Sequence, residues 1–324
     1  MNAHAEIPVV DVSHFAGADT AQRVAVAERI CAVARALGFV YLRGVAIAQS
    51  EVDALFAQLA TFFALPAAVK SRLATAHRAS DALRCGYVPQ GREHEDPATP
   101  SDIKEAFDLF SEAGYYAETF PATPEGAVAE PTPDVAEFIT GFDRFHARCA
   151  RVADDILRAF AMGFGLSESY FVERHGRNNM LRLLHYPPIP EHVIKGQMRV
   201  GAHTDFGTLT LLFQDPSGGL EVLSADGQWI CAPSIPNTVL INIGDLMQRW
   251  TNREFRSTSH RVGLPGDERG SRSRYSVAFF CEPNNETDVA SLGTGQNSDS
   301  PLYAPLNAGD HLRARLKGTL IGNG

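Results

Sequence analysis

The chain has 324 residues, with 29 Lys and Arg against 38 Asp and Glu for a formal net charge of −9. That acidic balance excludes a general nucleic-acid or anionic-membrane binder, since both need basic surface. Hydrophobic residues at 44% and charged residues at 21% exclude disorder as the default state. At about twice the usual domain length, one large unit can bury roughly 75% of its unfolded surface and needs no staple to fold.

The opening Ile7 to Val12 reads as a short strand. A helix is expected over residues 20–37, where Val26, Ile30, Val33 and Leu37 form one apolar stripe. Gly38 stops it, and Phe39-Val-Tyr-Leu42 then reads as a strand. Ser50 with Asp53 resembles a capping box opening a second helix, striped by Val52, Leu55, Phe56, Leu59 and Phe63. Pro66 is placed to start a further short helix. Residues 86–134 are rich in proline and read mostly as loop, with one apolar stretch near Phe107 to Phe110.

A long helix is expected from Thr132-Pro133, a cap followed by a first-turn proline. Its stripe of Phe138, Phe142, Phe145, Cys149, Val152 and Ile156 calls for a large apolar partner, such as the outer face of a sheet. From about residue 178 short apolar runs alternate with turn residues: Met180–Tyr186, Leu209–Phe213, Gly219–Leu223, Thr238–Ile243 and Tyr275–Cys281. Strands following helices in bulk predict a helix-decorated antiparallel sandwich or barrel, not a Rossmann fold. Neither phosphate-loop pattern occurs. The five cysteines (Cys31, Cys85, Cys149, Cys231, Cys281) are scattered without a C-x-x-C pair, so free thiols in a reducing compartment are expected. No basic segment leads an apolar run at the N-terminus, and no uncharged apolar stretch is long enough to span a bilayer. The expected location is cytoplasmic.

The chemistry is concentrated in Gly201-Ala-His203-Thr-Asp205-Phe-Gly207. On a strand, side chains two apart share a face, so His203 and Asp205 can take adjacent corners of a metal coordination sphere. His260, in Ser257-Thr-Ser-His260, is the natural third ligand. Two histidines and one carboxylate make a facial triad with open positions, the pattern of non-haem Fe(II) sites. Further along, Arg274-Tyr275-Ser276 again puts two polar side chains on one face. A guanidinium fork beside a hydroxyl suits a carboxylate held by bidentate, charge-assisted hydrogen bonds.

The order H-x-D, H, R-x-S resembles the isopenicillin N synthase-like branch of the 2-oxoglutarate/Fe(II)-dependent dioxygenases. The resemblance extends through Ile7-Pro-Val-Val-Asp11, Gly38-Phe-Val-Tyr41, Lys104-Glu-Ala-Phe-Asp108 and His185-Tyr-Pro187. It continues through Gly219-Leu-Glu-Val222, Asn242-Ile-Gly-Asp245, Phe280-Cys-Glu-Pro283 and the tail Tyr303 to Asp310. It implies a mixed α and β fold: a distorted double-stranded β-helix, or jelly roll, flanked by helices, with an N-terminal helical and strand extension. It implies Fe(II) on His203, Asp205 and His260, and 2-oxoglutarate and O2 as cosubstrates. Arg274 and Ser276 would hold the distal carboxylate of 2-oxoglutarate, with Tyr186 adding a hydroxyl. The family often has Asn where Leu184 stands, and Asn-His-Gly where Leu42-Arg-Gly44 stands. The acidic ligand separates the chain from halogenating relatives, in which a small residue makes room for chloride.

The implied activity is hydroxylation or desaturation of a small molecule, with release of succinate and CO2. Two other readings stay open: a 2-oxoglutarate-independent Fe(II) oxidase of the same family, and a non-catalytic jelly-roll binding protein. Arg182 shares a strand face with Leu184 and Tyr186 and is expected to meet a polar group of the substrate, a carboxylate among the candidates. Phe206, Phe279 and the Gly86-Tyr87 segment are expected to line the pocket. In domain terms, residues 1–130 would pack on the core without folding alone and 131–175 would be a supporting helix. Residues 176–285 would be the jelly-roll core and 286–324 a tail and helix. The expected state is a monomer or weak homo-oligomer, without nucleic-acid or membrane partners.

Overall fold

A computed structural model describes residues 6–17, 19–73, 77–78, 83–96, 98–111, 133–292 and 300–319. Strand β1 (Val9–Asp11) leads into helix α1 (Thr20–Ala36), whose N-terminal cap is the Asp19 carboxylate, accepting from the Gln22 amide at 2.9 Å. Gly38 follows at φ +76, and a Cβ there would lie 2.0 Å from the Arg256 carbonyl oxygen, so the turn into β2 (Phe39–Arg43) needs glycine. Helix α2 (Gln49–Phe63) starts one residue before Ser50, and its cap residue Ala48 supplies no side-chain bond. The expected capping box is therefore absent. Asp53 instead accepts from the Gln49 side chain at 2.8 Å. Helix α3 (Ala67–Lys70) follows Pro66.

Strand β3 (His77–Arg78) precedes the stretch expected as loop, whereas the end of β4 (Leu83–Val88) and all of β5 (Glu105–Ser111) correct that expectation. Strand β5 is buried along Ala106 to Phe110, on both of its faces, and such a strand has no period-two signature. Helix α4 (Pro133–Gly163) buries the whole predicted stripe. Its expected cap, Thr132, lies outside the described residues. After α5 (Ser169–Val172) come β6 (Met180–Tyr186), β7 (Val200–His203), β8 (Leu209–Gln214), β9 (Leu220–Leu223) and β10 (Trp229–Cys231). Then follow β11 (Thr238–Ile243), α6 (Asp245–Trp250), β12 (His260–Val262) and β13 (Arg274–Cys281). The C-terminal part holds β14 (Asp288–Val289), β15 (Leu306–Asn307) and α7 (Ala308–Thr319).

Two sheets make the core. The larger has nine strands in the order β1-β2-β11-β8-β13-β6-β5-β4-β3, and the smaller has four, β10-β9-β12-β7. Their pairings are antiparallel except β1 with β2. The two sheets face each other as a jelly roll that does not close into a barrel. The N-terminal strands extend its large sheet at both edges.

Alternation sorts the side chains of the large sheet. Leu181, Leu183, Leu211, Phe213, Val277 and Phe279 bury themselves in the core under α4, where Phe145 packs edge-on to Phe213 at 5.2 Å. Leu184, Tyr186, Leu240 and Phe39 face the other way, into a second core shared with Val200, Val222 and Val262 of the small sheet. The site lies in the gap on this inner side. The cysteines are unpaired, and four of the five are buried. No single helix among the described residues is long and apolar enough to cross a membrane.

Candidate active site

His203 ends β7 and His260 opens β12, and the two are direct cross-strand partners with ring centroids 4.2 Å apart. Each ring is held by its own chain two residues back. His203 Nδ1 lies 2.9 Å from the Gly201 carbonyl and His260 Nδ1 lies 3.2 Å from the Thr258 carbonyl. A carbonyl only accepts, so each Nδ1 carries the proton and each Nε2 lone pair is left for a ligand. Phe39 braces His260 edge-on at 5.3 Å. Burial pushes His260 down to about 4, which keeps it neutral.

Asp205 stands just past the end of β7, on the turn that follows, not on the strand itself. Its Oδ2 accepts from Asn242 Nδ2 at 2.6 Å and from the Thr210 hydroxyl. Its Oδ1 is left 3.7 Å from His203 Nε2 and 3.6 Å from His260 Nε2. Those gaps are too long for hydrogen bonds, yet three ligand atoms lie within 4.8 Å of one another. Three lone pairs around one point, from two imidazoles and one carboxylate, fit a non-haem Fe(II) ion.

Asp245 ties together the segments that carry these ligands. It accepts from Ser257 Oγ at 2.6 Å, from Thr204 Oγ1 at 3.2 Å and from Arg315 of α7. The preceding Gly244 is required by packing, because a Cβ there would lie 2.3 Å from the Gly207 carbonyl oxygen. Close backbone approach thus locks the turn after Asp205 against the end of β11.

At the other end of the same cavity, Arg274 is 1% exposed and pairs across the strands with Tyr186. Its guanidinium donates to the Gly218 carbonyl at 2.7 Å and to Gln214 Oε1 at 2.8 Å, and lies 4.6 Å from the Tyr186 ring centre. Nη1 reaches Ser276 Oγ at 3.4 Å, and that hydroxyl lies 3.3 Å from the Tyr186 hydroxyl. The three expected residues therefore converge. These partners of Arg274 are all neutral, so a buried cation here lacks a counter-charge among the described residues. Arg199, also fully buried, donates to the Arg272 carbonyl at 3.0 Å, while its Nε and Nη1 find no partner. Burial and then the Arg274 charge hold Arg199 below its ordinary value. Sequence reasoning missed it, because arginine before a strand carries no pattern.

The cavity between these ends spans about 560 Å³, counting its open mouth. The large sheet contributes Leu184 and Arg182 from β6, Ala278 and Phe280 from β13, and Leu212 from β8. The small sheet contributes Val200, Leu220 and Val262. Arg182 is on the wall, as period two predicts, but its Nε, Nη1 and Nη2 already donate to Asp108 and Glu93 at 2.8–3.1 Å. Three expectations are corrected. Phe279 has the wrong parity: Arg274 and Ser276 face the cavity, so Phe280 shares that face, and Phe279 packs on His146 in the helix-side core. Phe206 lies under the Arg315 guanidinium, 4.4 Å from its ring centre, outside the cavity lining. Tyr87 also points elsewhere, bonding Glu105 in a cluster with Lys70 and His185.

Thr210, Asn242, Glu95 and Lys104 line the cavity and were assigned no role from sequence. The first two had a signal, a lone polar residue inside an apolar strand. Glu95 and Lys104 come from the loop between β4 and β5, where no periodicity applies.

An open-ended jelly roll with a His-Asp-His cluster at one end of its cavity and a buried Arg-Ser-Tyr cluster at the other defines a non-haem iron oxygenase. The chain belongs to the 2OG-Fe(II) oxygenase superfamily: that family's model matches residues 177–283, and the N-terminal model of non-haem dioxygenases in morphine synthesis matches residues 7–124. Members are oxidoreductases that use Fe(II), 2-oxoglutarate and O2. The chain is 34% identical over 297 residues to the 2-oxoglutarate-Fe(II) type oxidoreductase ppzD of Metarhizium rileyi, covering 87% of this chain and 82% of that protein. It is 31% identical to the proline hydroxylase buaE of Petromyces alliaceus, covering 96% and 98%. Among solved structures, a full-length Neurospora crassa protein in complex with alpha-KG and thymine matches with TM-score 0.79 at 33% identity, covering 98% of both chains.

Proposed function

We propose that this protein hydroxylates or desaturates a small molecule, coupled to conversion of 2-oxoglutarate to succinate and CO2. The carrying observation is that one cavity holds both a three-ligand metal set and, at its far end, a buried arginine whose partners are all neutral. His203, Asp205 and His260 would hold Fe(II), with the Gly201 and Thr258 carbonyls and the Thr210–Asn242 pair fixing which atoms face it. When bound, the metal with 2-oxoglutarate and O2 supplies the oxidation of a C–H bond. Arg274 would bind the distal carboxylate through its Nη1 edge, with Ser276 and Tyr186 presenting hydroxyls to the same group. Leu184, Leu212 and Val262 would keep water from the reacting region. The relative named as a proline hydroxylase and the thymine-bound neighbour support a small-molecule substrate.

Reconstitution with Fe(II) and 2-oxoglutarate under nitrogen, followed by O2, tests this reading. The expected outcome is succinate formation that rises with the correct substrate, and loss of both Fe(II) binding and succinate in His203→Ala. Oxygen consumption without succinate would instead identify a 2-oxoglutarate-independent oxidase. Failure to bind Fe(II) would point to a non-catalytic binding protein.

A further inference from the structure

We propose that the substrate presents an N–H donor, neutral or cationic, to the carboxylate of Glu95, which thereby sets the specificity of the pocket. The inference rests on the dioxygenase reading above and names the chemical class of its substrate.

The argument begins with what the cavity wall beside the metal ligands can offer. Two cations stand there, Lys104 and Arg182, and neither is available. Lys104 Nζ lies 2.9 Å from Glu95, 3.2 Å from Asp102 and 3.6 Å from Glu93. Arg182 uses all three nitrogens on Glu93 and Asp108. Against these two cations are four carboxylates: Glu93, Glu95, Asp102 and Asp108. A substrate carboxylate placed here would meet saturated donors and a formal excess of negative charge. Repulsion between like charges in a poorly solvated site is costly.

Glu95 is the acid of this group that reaches the cavity lining. Its side chain is 12% exposed, and Oε1 accepts from Lys104 at 2.9 Å. Oε2 has no donor among the described residues. Despite its burial, the Lys104 ammonium 2.9 Å away holds the Glu95 carboxyl below its ordinary value. An ionised carboxylate offers about four acceptor sites and no donor. One oxygen anchored and the other open is therefore an acceptor awaiting a hydrogen-bond donor from the ligand. An amine, amide or imide N–H supplies that donor without adding negative charge. The same wall keeps the dicarboxylic cosubstrate at the opposite end, where Arg274 is held by neutral groups.

The test is calorimetric binding to the full chain loaded anaerobically with Fe(II) and 2-oxoglutarate. Two size-matched panels serve as probes, one of cyclic imides, amides and primary amines, the other of monocarboxylates. Binders are expected from the first panel, and Glu95→Gln should weaken them by roughly 10- to 100-fold, the scale of one charged hydrogen bond. The amide can still accept from Lys104, but it turns a donor toward the cavity, so carboxylate probes should gain affinity in this variant. A merely structural role would lower both panels together. Glu95→Asp, which keeps the charge, should retain the preference for N–H probes. Carboxylate binders in the native chain, no N–H binder, or N–H affinities unmoved by Glu95→Gln would each overturn the proposal. Substrate-free formation of succinate by the native chain in air checks the dioxygenase reading separately, so the two can fail independently.

Discussion

Asp205 has two oxygens, and Asn242 and Thr210 occupy one of them while the histidines face the other. Without that division the carboxylate could rotate or bridge, and the ligand set would lose its geometry. Asn242→Ala is therefore expected to weaken Fe(II) binding about 10- to 100-fold, the usual scale for partners that orient a ligand. Anaerobic metal titration measures this, and an unchanged circular dichroism spectrum shows that the fold is kept. At this scale the sequence was legible where two polar residues stood two apart. Arg274 with Ser276 could be read from the period of a strand, and His203 with Asp205 from their spacing, although Asp205 stands past the end of β7. Glu95 and Arg199 could not, since a loop acid and a strand-flanking arginine acquire meaning only from what packs around them. Phe279 was misread although the same period, counted from Arg274, points to Phe280.

Elements with one buried face were legible for the same reason. The α4 stripe repeats every three or four residues because one side of that helix rests on the large sheet. Phe142, wholly buried in that stripe with its ring centre 4.7 Å from that of Phe138, should be costly to remove. Phe142→Ala is expected to destabilise the chain by about 3–5 kcal/mol, seen as a lower urea midpoint. Strands β4 and β5 escaped notice because β5 is covered on both faces, with its one charged interior residue, Asp108, neutralised by Arg182 across the strands. The capping pattern at Ser50 was a local resemblance that the helix start at Gln49 overrode.

For the molecule as a whole, charge is sorted along one cavity, with Arg274 among neutral partners at one end and the Glu95 carboxylate on the wall at the other. Stability also has a pH signature. His175 is buried with Nδ1 2.6 Å from the Phe171 carbonyl and Nε2 2.7 Å from Thr208 Oγ1, an arrangement satisfied by the neutral ring. Burial pushes it down to about 4 from an ordinary 6.5, so the unfolded chain takes a proton that the folded chain refuses. Its contribution is complete above about pH 6.5 and is lost as pH falls toward 4, amounting to about 3 kcal/mol over the window. Urea midpoints should fall steadily between pH 7 and 5, and His175→Gln should flatten that slope.

Glu93, Glu95, Asp102 and Lys104 all come from the single connection between β4 and β5, whereas the metal ligands and Arg274 lie on or beside β7, β12 and β13. If Glu95 selects the substrate as proposed, that choice would lean on a connection that itself carries no residue of the His-Asp-His cluster. The connection and the cluster are not independent, because Asp102 Oδ1 accepts from the Gly201 amide at 3.0 Å, in the residue whose carbonyl holds the His203 ring. A change in this connection that spared Asp102 could alter the pocket wall and leave the His203 strand held in place, whereas one that removed it would loosen both.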